Sequence, residues 1–579
     1  MSPGSALVLL AAALVFVLDI LVASPWTGVP VVLVMLIVTL AVAEQVRQIV
    51  AARRGSTGLA GVLQFEASLL LALLGFLVAR VFVLTEMFGG ATDRQVAAAE
   101  TYDLVFMSLA AIAGGLVIAP ERSGRALLRL AQKPSMMLIG SFAAMILLGS
   151  LLLTLPMSVT QLGHVSYVDA LFTMTSAVCV TGLAVNDVGA TFTPFGQGVI
   201  LAGIQLGGIG IMTIAALALA FSNNTSLQSQ LRYAEMMDAR TLADLRTIVI
   251  SILAGTFIIE ALGAFALWSL FAGDPRLGEQ SALWLAVFHA VSAFCNAGFS
   301  LFPGGLTQFA GDLGVQLVIM LLIVFGGLGF PVMTELVRHG WRKLAFLVRS
   351  SPHPPPLSLT TRVVGAMTLA LIVVGALLVF ALEFSASLAP TAELGPGRRL
   401  LAALFASVNT RTAGFNTVDI AAMRDATLLI TCVLMFIGGA PTSTAGGIKI
   451  TTFAAVIAAL RGELRDREPE LGGRALVPEV LRKAIAVILM MGGLVLVITL
   501  LLTLTEDQPF IQLLFETVSA LATVGLSTGI TGALSVAGKL IVSAAMFFGR
   551  VGPFTIALAI GDKPGRQRYR LARETLPVG

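Results

Sequence analysis

Phe288-His-Ala-Val-Ser-Ala-Phe-Cys-Asn-Ala-Gly298-Phe299 decides the fold, because its pattern occurs four times. The other copies are Phe172-Thr-Met-Thr-Ser-Ala-Val-Cys-Val-Thr-Gly182-Leu183, Leu404-Phe-Ala-Ser-Val-Asn-Thr-Arg-Thr-Ala-Gly414-Phe415 and Phe515-Glu-Thr-Val-Ser-Ala-Leu-Ala-Thr-Val-Gly525-Leu526. Three of the four carry an aromatic ten residues before the glycine and a serine six before it. In all four, Leu or Phe follows the glycine. The glycines are 116, 116 and 111 residues apart. A second motif, Leu206-Gly-Gly-Ile-Gly210, Phe325-Gly-Gly-Leu-Gly329, Ile437-Gly-Gly-Ala-Pro441 and Phe548-Gly-Arg-Val-Gly552, begins its glycines 25, 28, 24 and 24 residues after the first. Two motifs repeating together every ~110 residues describe one supersecondary unit used four times.

Working outward, the surroundings of each copy are lipid-like. Of 579 residues, 57% are hydrophobic and 12% charged, and mean hydropathy is +0.95. That excludes a soluble protein, a disordered chain and a nucleic-acid binder. Uncharged windows long enough for the ~20 residues that cross a bilayer run over 134–168, 188–231, 314–334, 363–382, 426–448 and 484–505. Further spans start near Ile248 and Leu540, and four more precede them near 6–22, 31–43, 62–83 and 104–119, giving an expectation of twelve. The first of these is no cleavable signal peptide, since Asp19 interrupts it and another span follows. Five stretches, 121–133, 222–246, 338–362, 461–483 and 562–579, hold 23 of the 36 Lys and Arg residues. The positive-inside rule makes them cytoplasmic. Cys179, Cys295 and Cys432 form neither a disulfide framework nor a CxxC metal spacing.

The short segments cannot cross: Phe288 to Ala297 is about 15 Å of helix. They must enter and return, and irregular backbone at that depth is tolerated where it lines water or is enclosed by protein. Four such loops around one axis make a pore. Their helices would point negative ends at the centre, which favours a cation. The turns, Val180, Thr181, Gly182; Asn296, Ala297, Gly298; Thr412, Ala413, Gly414; and Thr523, Val524, Gly525, contain no charged side chain. That argues against a carboxylate ring for divalent ions and for carbonyls replacing the hydration shell of a monovalent one. Arg411 borders the third turn and is expected to bind structure behind it.

These residues resemble the TrkH/KtrB/HKT superfamily of potassium transporters, most of all KtrB-type subunits. The resemblance rests on residues 175–183 (TSAVCVTGL), 205–213 (QLGGIGIMT), 292–298 (SAFCNAG), 409–419 (NTRTAGFNTVD), 438–453 (GGAPTSTAGGIKITTF) and 548–558 (FGRVGPFTIAL), and covers roughly 134–562. It implies an all-α polytopic membrane protein with four pseudo-symmetric membrane–pore-loop–membrane repeats around one pore, at 134–231, 232–349, 350–470 and 471–562. Four further helices over 1–133 precede them and a basic tail over 563–579 follows. It implies a K⁺ filter at the four turns, glycine in all four going with K⁺ over Na⁺ selectivity. It also implies K⁺ uptake in the cell inner membrane with both termini cytoplasmic, a homodimer, and a cytoplasmic ring of nucleotide-binding RCK subunits of TrkA/KtrA type. The basic cytoplasmic stretches suit contact with such a ring or with anionic lipid. K⁺ is the transported ion, with Na⁺ a second candidate and no organic cofactor expected.

The third unit's second span holds Gly438, Gly439, Thr442, Ser443, Thr444, Gly446 and Gly447, a poor helix. The resemblance implies a gate beneath the filter; close helix packing by small residues is the alternative. Arg550 replaces a glycine of the second motif. An intramembrane cation is a functional candidate by default, and in this family an Arg at the matching position sits below the filter. An electrostatic barrier is expected, against a tie to Glu516 or a carbonyl. Lys449 either closes the gate loop or snorkels to the cytoplasm.

Residues 1–133 carry Asp19, Glu66, Arg80 and Asp103, but the fourth span lacks the Arg or Lys at every third position that a voltage sensor needs. Packing or dimer support is the expectation. Catalysis has one formal motif, Gly525-Leu-Ser527-Thr-Gly529, which lacks the preceding strand a nucleophile elbow requires; no enzyme is expected. The four His residues are dispersed, and His289 is expected to pack. A cation-coupled symporter is the nearer competitor, though such folds usually show inverted repeats and intramembrane carboxylates, and within the repeat region only Glu260 and Glu516 are read as mid-span carboxylates.

Overall fold

In the computed structural model of the chain, residues 134–161, 163, 165–210, 242–278, 280–349, 355–384 and 395–552 are described. The extension expected over 1–133, most of the basic stretch at 222–246 and the tail at 563–579 lie outside them. The described residues are helical apart from loops and one two-residue hairpin, Glu470–Leu471 (β1) against Arg474–Ala475 (β2).

The helices come in a recurring order. Pro134–Leu153 (α1) leads to the short Tyr167–Val178 (α2) and then Pro194–Ile209 (α3). Leu242–Phe271 (α4) leads to Ala282–Phe294 (α5), Leu313–Leu328 (α6) and Phe330–Arg349 (α7). Leu359–Phe384 (α8) leads to Pro396–Asn409 (α9), Asp425–Phe436 (α10) and Ile450–Leu464 (α11). Pro478–Thr505 (α12) leads to Phe510–Leu521 (α13) and Val536–Val551 (α14). The first helix of each group packs against the short one after it: α1 on α2, α4 on α5, α8 on α9, α12 on α13. The third helix packs on the short helix of the next group: α3 on α5, α6 on α9, α10 on α13, and α14 back on α2. The packing order therefore closes on itself.

Local chemistry places the short helices. Ser166 and Asp169 form a reciprocal capping box at the start of α2, and the Ser281 Oγ caps α5. At the centre, Phe172, Phe288, Phe405 and Phe515 are fully buried, and Leu183, Phe299, Phe415 and Leu526 after the four glycines are buried too. The wall facing away from them is apolar too. Phe257, Leu262 and Phe265 on α4, Leu369 and Leu377 on α8, and Leu489, Leu496 and Leu504 on α12 are more than half exposed, which lipid tails can cover and water cannot.

Three helices among the described residues are long and apolar enough to cross a bilayer: Ile250–Phe271, Leu359–Glu383 and Pro478–Thr505. Where the sequence suggests further single crossings, the helices break. The 314–334 window stops at Leu328 and turns by 107° into α7 at Gly329. The 188–231 window holds a one-turn helix and then α3, which ends at Gly210, and the 426–448 window stops at Phe436. Uncharged length permits a crossing but does not enforce a straight one, because a glycine at positive φ ends a helix without polar cost in its side chain. Gly210, Gly329 and Gly552, the last glycines of the second motif, stand at φ +83°, +83° and +86°.

Candidate functional site

The four short helices end in the same way. α2, α5, α9 and α13 are followed within three residues by Val180, Asn296, Thr412 and Thr523 at φ +56°, +59°, +68° and +50°. An ordinary residue comes next, and then Gly182, Gly298, Gly414 and Gly525 at φ +100°, +69°, +79° and +88°. Alternating hand along a strand turns successive carbonyls to the same side, whereas regular strand would alternate them. Non-glycine residues at positive φ cost about 1–3 kcal/mol each, so four at matching positions mark a conformation the surroundings impose.

Those surroundings interlock. A Cβ on Gly182 would lie 2.5 Å from the Ala297 carbonyl oxygen, one on Gly298 2.6 Å from Ala413 O, and one on Gly414 2.6 Å from Val524 O. On Gly525 it would collide with Thr181 O. Each glycine is thus covered by the carbonyl that precedes the next glycine, and the fourth returns to the first. The C-terminal ends of four helices meet at this ring, each adding partial negative charge.

Side chains hold each turn. The Ser176 Oγ accepts from the Gly182 N–H at 3.0 Å and the Ser519 Oγ from the Gly525 N–H at 3.1 Å, while the Ser292 Oγ donates to the Phe299 carbonyl at 2.8 Å. The third group has Val408 at that register. There Asn409 takes over, accepting from the Phe415 N–H at 2.9 Å and donating to the Phe415 carbonyl. The repeated serine was visible in the sequence; Asn409 was not, because its register differs by one. The buried Thr181 and Thr523 hydroxyls have no hydrogen-bond partner among the described residues.

On one side of the ring lies a cavity of about 330 Å³. It is lined by the ring glycines with Asp187, Ser300, Asn416, Ser527 and Thr531. Ser527, the central residue of the formal nucleophile motif, is 2.9 Å from the Thr531 hydroxyl, and Thr531 donates to Glu516 behind the turn. His289 packs as expected: Nδ1 lies 2.7 Å from the Leu285 carbonyl, Nε2 3.0 Å from Ser300 Oγ, and the ring stacks on Phe302.

On the other side the chain from Ile437 to Lys449 is non-helical. Ile437 and Ile448 pair in a single parallel bridge, and the Ala440 and Thr444 N–H groups donate to Gly327 O (3.0 Å) and Gly326 O (3.3 Å) on α6. The Thr444 Oγ1 donates to Phe294 O at 3.3 Å, at the end of α5. Gly446 lies against the Thr523 side chain and Ala522 O, leaving no room for a Cβ. A Cβ on Gly438 would collide with Gly446 O, one on Gly439 would lie 2.5 Å from Ala445 Cβ and 2.9 Å from Gly327 O, and Gly447 takes φ +65°. Thr442 is exposed, and Ser443 donates to Ala440 O at 2.7 Å. The glycine run is therefore a packed loop rather than a helix face of small residues.

Three cations meet this loop. The Arg550 guanidinium donates to Thr444 O in the loop and to Gly207 O at the end of α3, not to Glu516. Lys449 Nζ donates to Ala445 O at 2.6 Å, and Arg411, behind the third turn, donates to Gly438 O. Two contacts lay beyond the sequence reading because they join residues far apart in the chain. Glu260 on α4 accepts from Gln205 Nε2 at 3.1 Å and sits 3.7 Å from Cys295 Sγ beside the second turn. Lys539 on α14 pairs with Asp169 on α2 at 2.7 Å. All three cysteines are buried, and the described residues hold no cluster of three or more His, Cys, Asp or Glu side chains fit for a metal.

A family profile described as "TrkH: Cation transport protein" matches residues 106–564. The Ktr system potassium uptake protein B of Bacillus subtilis is 39% identical over 431 residues, 74% of this chain and 92% of the relative. Its namesake in Vibrio alginolyticus is 38% identical, covering 76% and 93%. The potassium/sodium uptake protein NtpJ of Enterococcus hirae is 32% identical, covering 77% and 97%. A crystal structure of the potassium transporter TrkH from Vibrio parahaemolyticus has the same fold, with TM-score 0.60, 18% identity, and coverage of 86% and 97%.

Proposed function

The chain belongs to the TrkH family of cation transport proteins, and from that premise we propose that it carries K⁺ across the cell membrane through the ring of turns at Gly182, Gly298, Gly414 and Gly525. The observation that carries this reading is the cyclic fit of each glycine under the neighbouring carbonyl, from Ala297 through Ala413 and Val524 back to Thr181. Oxygens held in a closed ring without charge can replace the water of a dehydrated monovalent cation, and four converging helix C-termini favour that charge. The names of the relatives support K⁺ as the cargo. The units 134–231, 232–349, 350–470 and 471–562 then act as four pseudo-symmetric repeats around one pore, with Val180, Thr181, Asn296, Ala297, Thr412, Ala413, Thr523 and Val524 completing the filter.

Beneath it, the loop from Gly438 to Gly447 acts as the gate and Arg550 as its latch. A charge-assisted hydrogen bond contributes about 1.5–3 kcal/mol, so the two Arg550 donors supply enough to hold one loop position against another. The guanidinium also raises the local potential on the ion path. The protein is placed in the cell inner membrane with the basic stretches cytoplasmic, as a homodimer, and the basic hairpin region at 461–483 offers contact to an RCK-type nucleotide-binding ring.

K⁺ complementation and ⁸⁶Rb⁺ uptake in an uptake-deficient cell test the reading: wild-type chain restores growth at low K⁺, and a chain that folds but moves no Rb⁺ refutes it. A second reading, uptake coupled to Na⁺, draws on the potassium/sodium name of the Enterococcus hirae relative. It requires that Rb⁺ uptake by proteoliposomes fall when external Na⁺ is replaced by choline.

A further inference from the structure

Helix α7 is unlike the other helices around the ring. It leaves α6 at 107°, so if α6 runs along the bilayer normal, α7 lies nearly in the membrane plane. Its 20 residues are about 30 Å long, yet Glu335, Arg338, His339, Arg342, Lys343 and Arg349 make it far too polar to insert across hydrocarbon. One face is nevertheless apolar and outward. Val337, Trp341, Leu344 and Val348, spaced i, i+4, i+7, i+11, are 60%, 69%, 51% and 72% exposed. Arg338, Arg342 and Lys343 are exposed beside that stripe. The opposite side is held by protein: Val332 is buried against Val364 and Ala440, and the Glu335 carboxylate accepts from the Ser358 N–H and Oγ, both at 2.6 Å, and from Thr361.

The geometry points to α7 as an interfacial helix that lays its Val337–Trp341–Leu344–Val348 stripe into the acyl boundary, binds anionic phospholipid headgroups through Arg338, Arg342 and Lys343, and thereby braces the gate loop. An apolar stripe bordered by Arg and Lys, with Trp among it, is the composition of helices that lie at the headgroup level. The tilt of α7 sets the stripe parallel to the surface its own transmembrane neighbours define, and the basic flank complements an anionic leaflet. The link to the gate is direct. Ala440 of the loop packs on Val332, and a Cβ on Gly329, the hinge into α7, would lie 2.7 Å from Pro441 O. Displacing α7 therefore displaces the loop. This coupling, unlike the lipid contact, rests on the K⁺ transport reading.

The test uses the full chain in bilayers of phosphatidylcholine with increasing phosphatidylglycerol. Trp341 is read as the difference in brominated-lipid quenching between wild type and Trp341→Phe. Trp341 is quenched, more so as phosphatidylglycerol rises. R338Q/R342Q/K343Q needs at least about threefold more phosphatidylglycerol for the same quenching, and its ⁸⁶Rb⁺ flux loses its dependence on that lipid. No Trp341 quenching in any bilayer overturns the proposal. So do disulfides between copies of Val337→Cys, which would assign the stripe to a second copy of the chain. Quenching with flux indifferent to phosphatidylglycerol overturns the coupling to the gate. Quenching without any Rb⁺ flux keeps the lipid contact and removes the transport reading instead.

Discussion

Replacing Gly298 with serine tests the ring where two backbone atoms of the next turn lie within 2.7 Å of the added carbon. Gly298 stands at φ +69°, and a side chain there costs about 1–2 kcal/mol before any contact is counted. The added Cβ would lie 2.6 Å from Ala413 O and 2.7 Å from Gly414 Cα. Carbon needs about 3.5 Å or more from its neighbours, so roughly 1 Å must be found. The fixed backbone of the third turn stands in the way, so Ala413 O moves off its place in the ring. Ligand shells are set to about 0.2 Å, and the displacement is several times that. We expect K⁺ over Na⁺ preference to fall at least about tenfold, equivalent to about 1.4 kcal/mol. It is measured as Na⁺ inhibition of ⁸⁶Rb⁺ uptake in a K⁺-uptake-deficient cell. Gly473→Ser is the control. That glycine has φ +77° with nothing near its Cβ, so it carries the backbone strain without the ring. If Gly298→Ser folds and keeps its selectivity within about twofold of Gly473→Ser, the ring is not the filter.

Arg550→Ala removes two charge-assisted bonds at about 1.5–3 kcal/mol each; K⁺ flux through the resting protein should rise at least about tenfold in proteoliposomes, and Arg550→Lys should lie between. Glu260→Ala leaves Gln205 and Cys295 facing an empty acceptor position and should lower stability by about 1–3 kcal/mol, read as a lower melting temperature in detergent, while Glu260→Gln should cost less because its amide oxygen still accepts from Gln205. In the loop after α4, the Arg276 guanidinium, bonded at 2.9 Å, holds the Asp274 carboxyl below its ordinary value. A depressed carboxylate pKa stabilises the fold above its unfolded value and is lost as pH falls through the folded one, so Asp274→Asn should lower the melting temperature at pH 7, and the difference from wild type should narrow as pH falls below about 4. Lys539→Met breaks the tie to Asp169 between α14 and α2 and should make thermal unfolding begin at the junction of first and last groups, seen as early hydrogen exchange at residues 167–170 and 536–543.

Much of this was legible in the chain because it is repetitive. The four glycines and the apolar residue after each fall at fixed spacing, with an aromatic ten residues before three of them, and each of those three Phe residues is fully buried. The glycine-rich run after Phe436 reads as poor helix, and it is loop. What could not be read was where a continuous apolar window would bend. Hydropathy reports which solvent surrounds a segment and not its direction, so the turn of 107° at Gly329 leaves no mark in it. Asn409 in place of the serine, and the Glu260–Gln205–Cys295 contact, were hidden for another reason: they depend on which distant segments meet.

By itself the sequence determined that this is a membrane protein in which one pair of motifs occurs four times, each copy with a segment too short to cross and a glycine at its end, since length, charge and periodicity are properties of the chain alone. Only the tertiary structure decided that the third helix of each group packs on the short helix of the next. That order brings Thr181 O onto Gly525 and closes the ring. A closed ring is a relation among residues up to 344 positions apart, and no local preference encodes it; it follows from four apolar faces finding one mutual packing in which every glycine is needed as glycine.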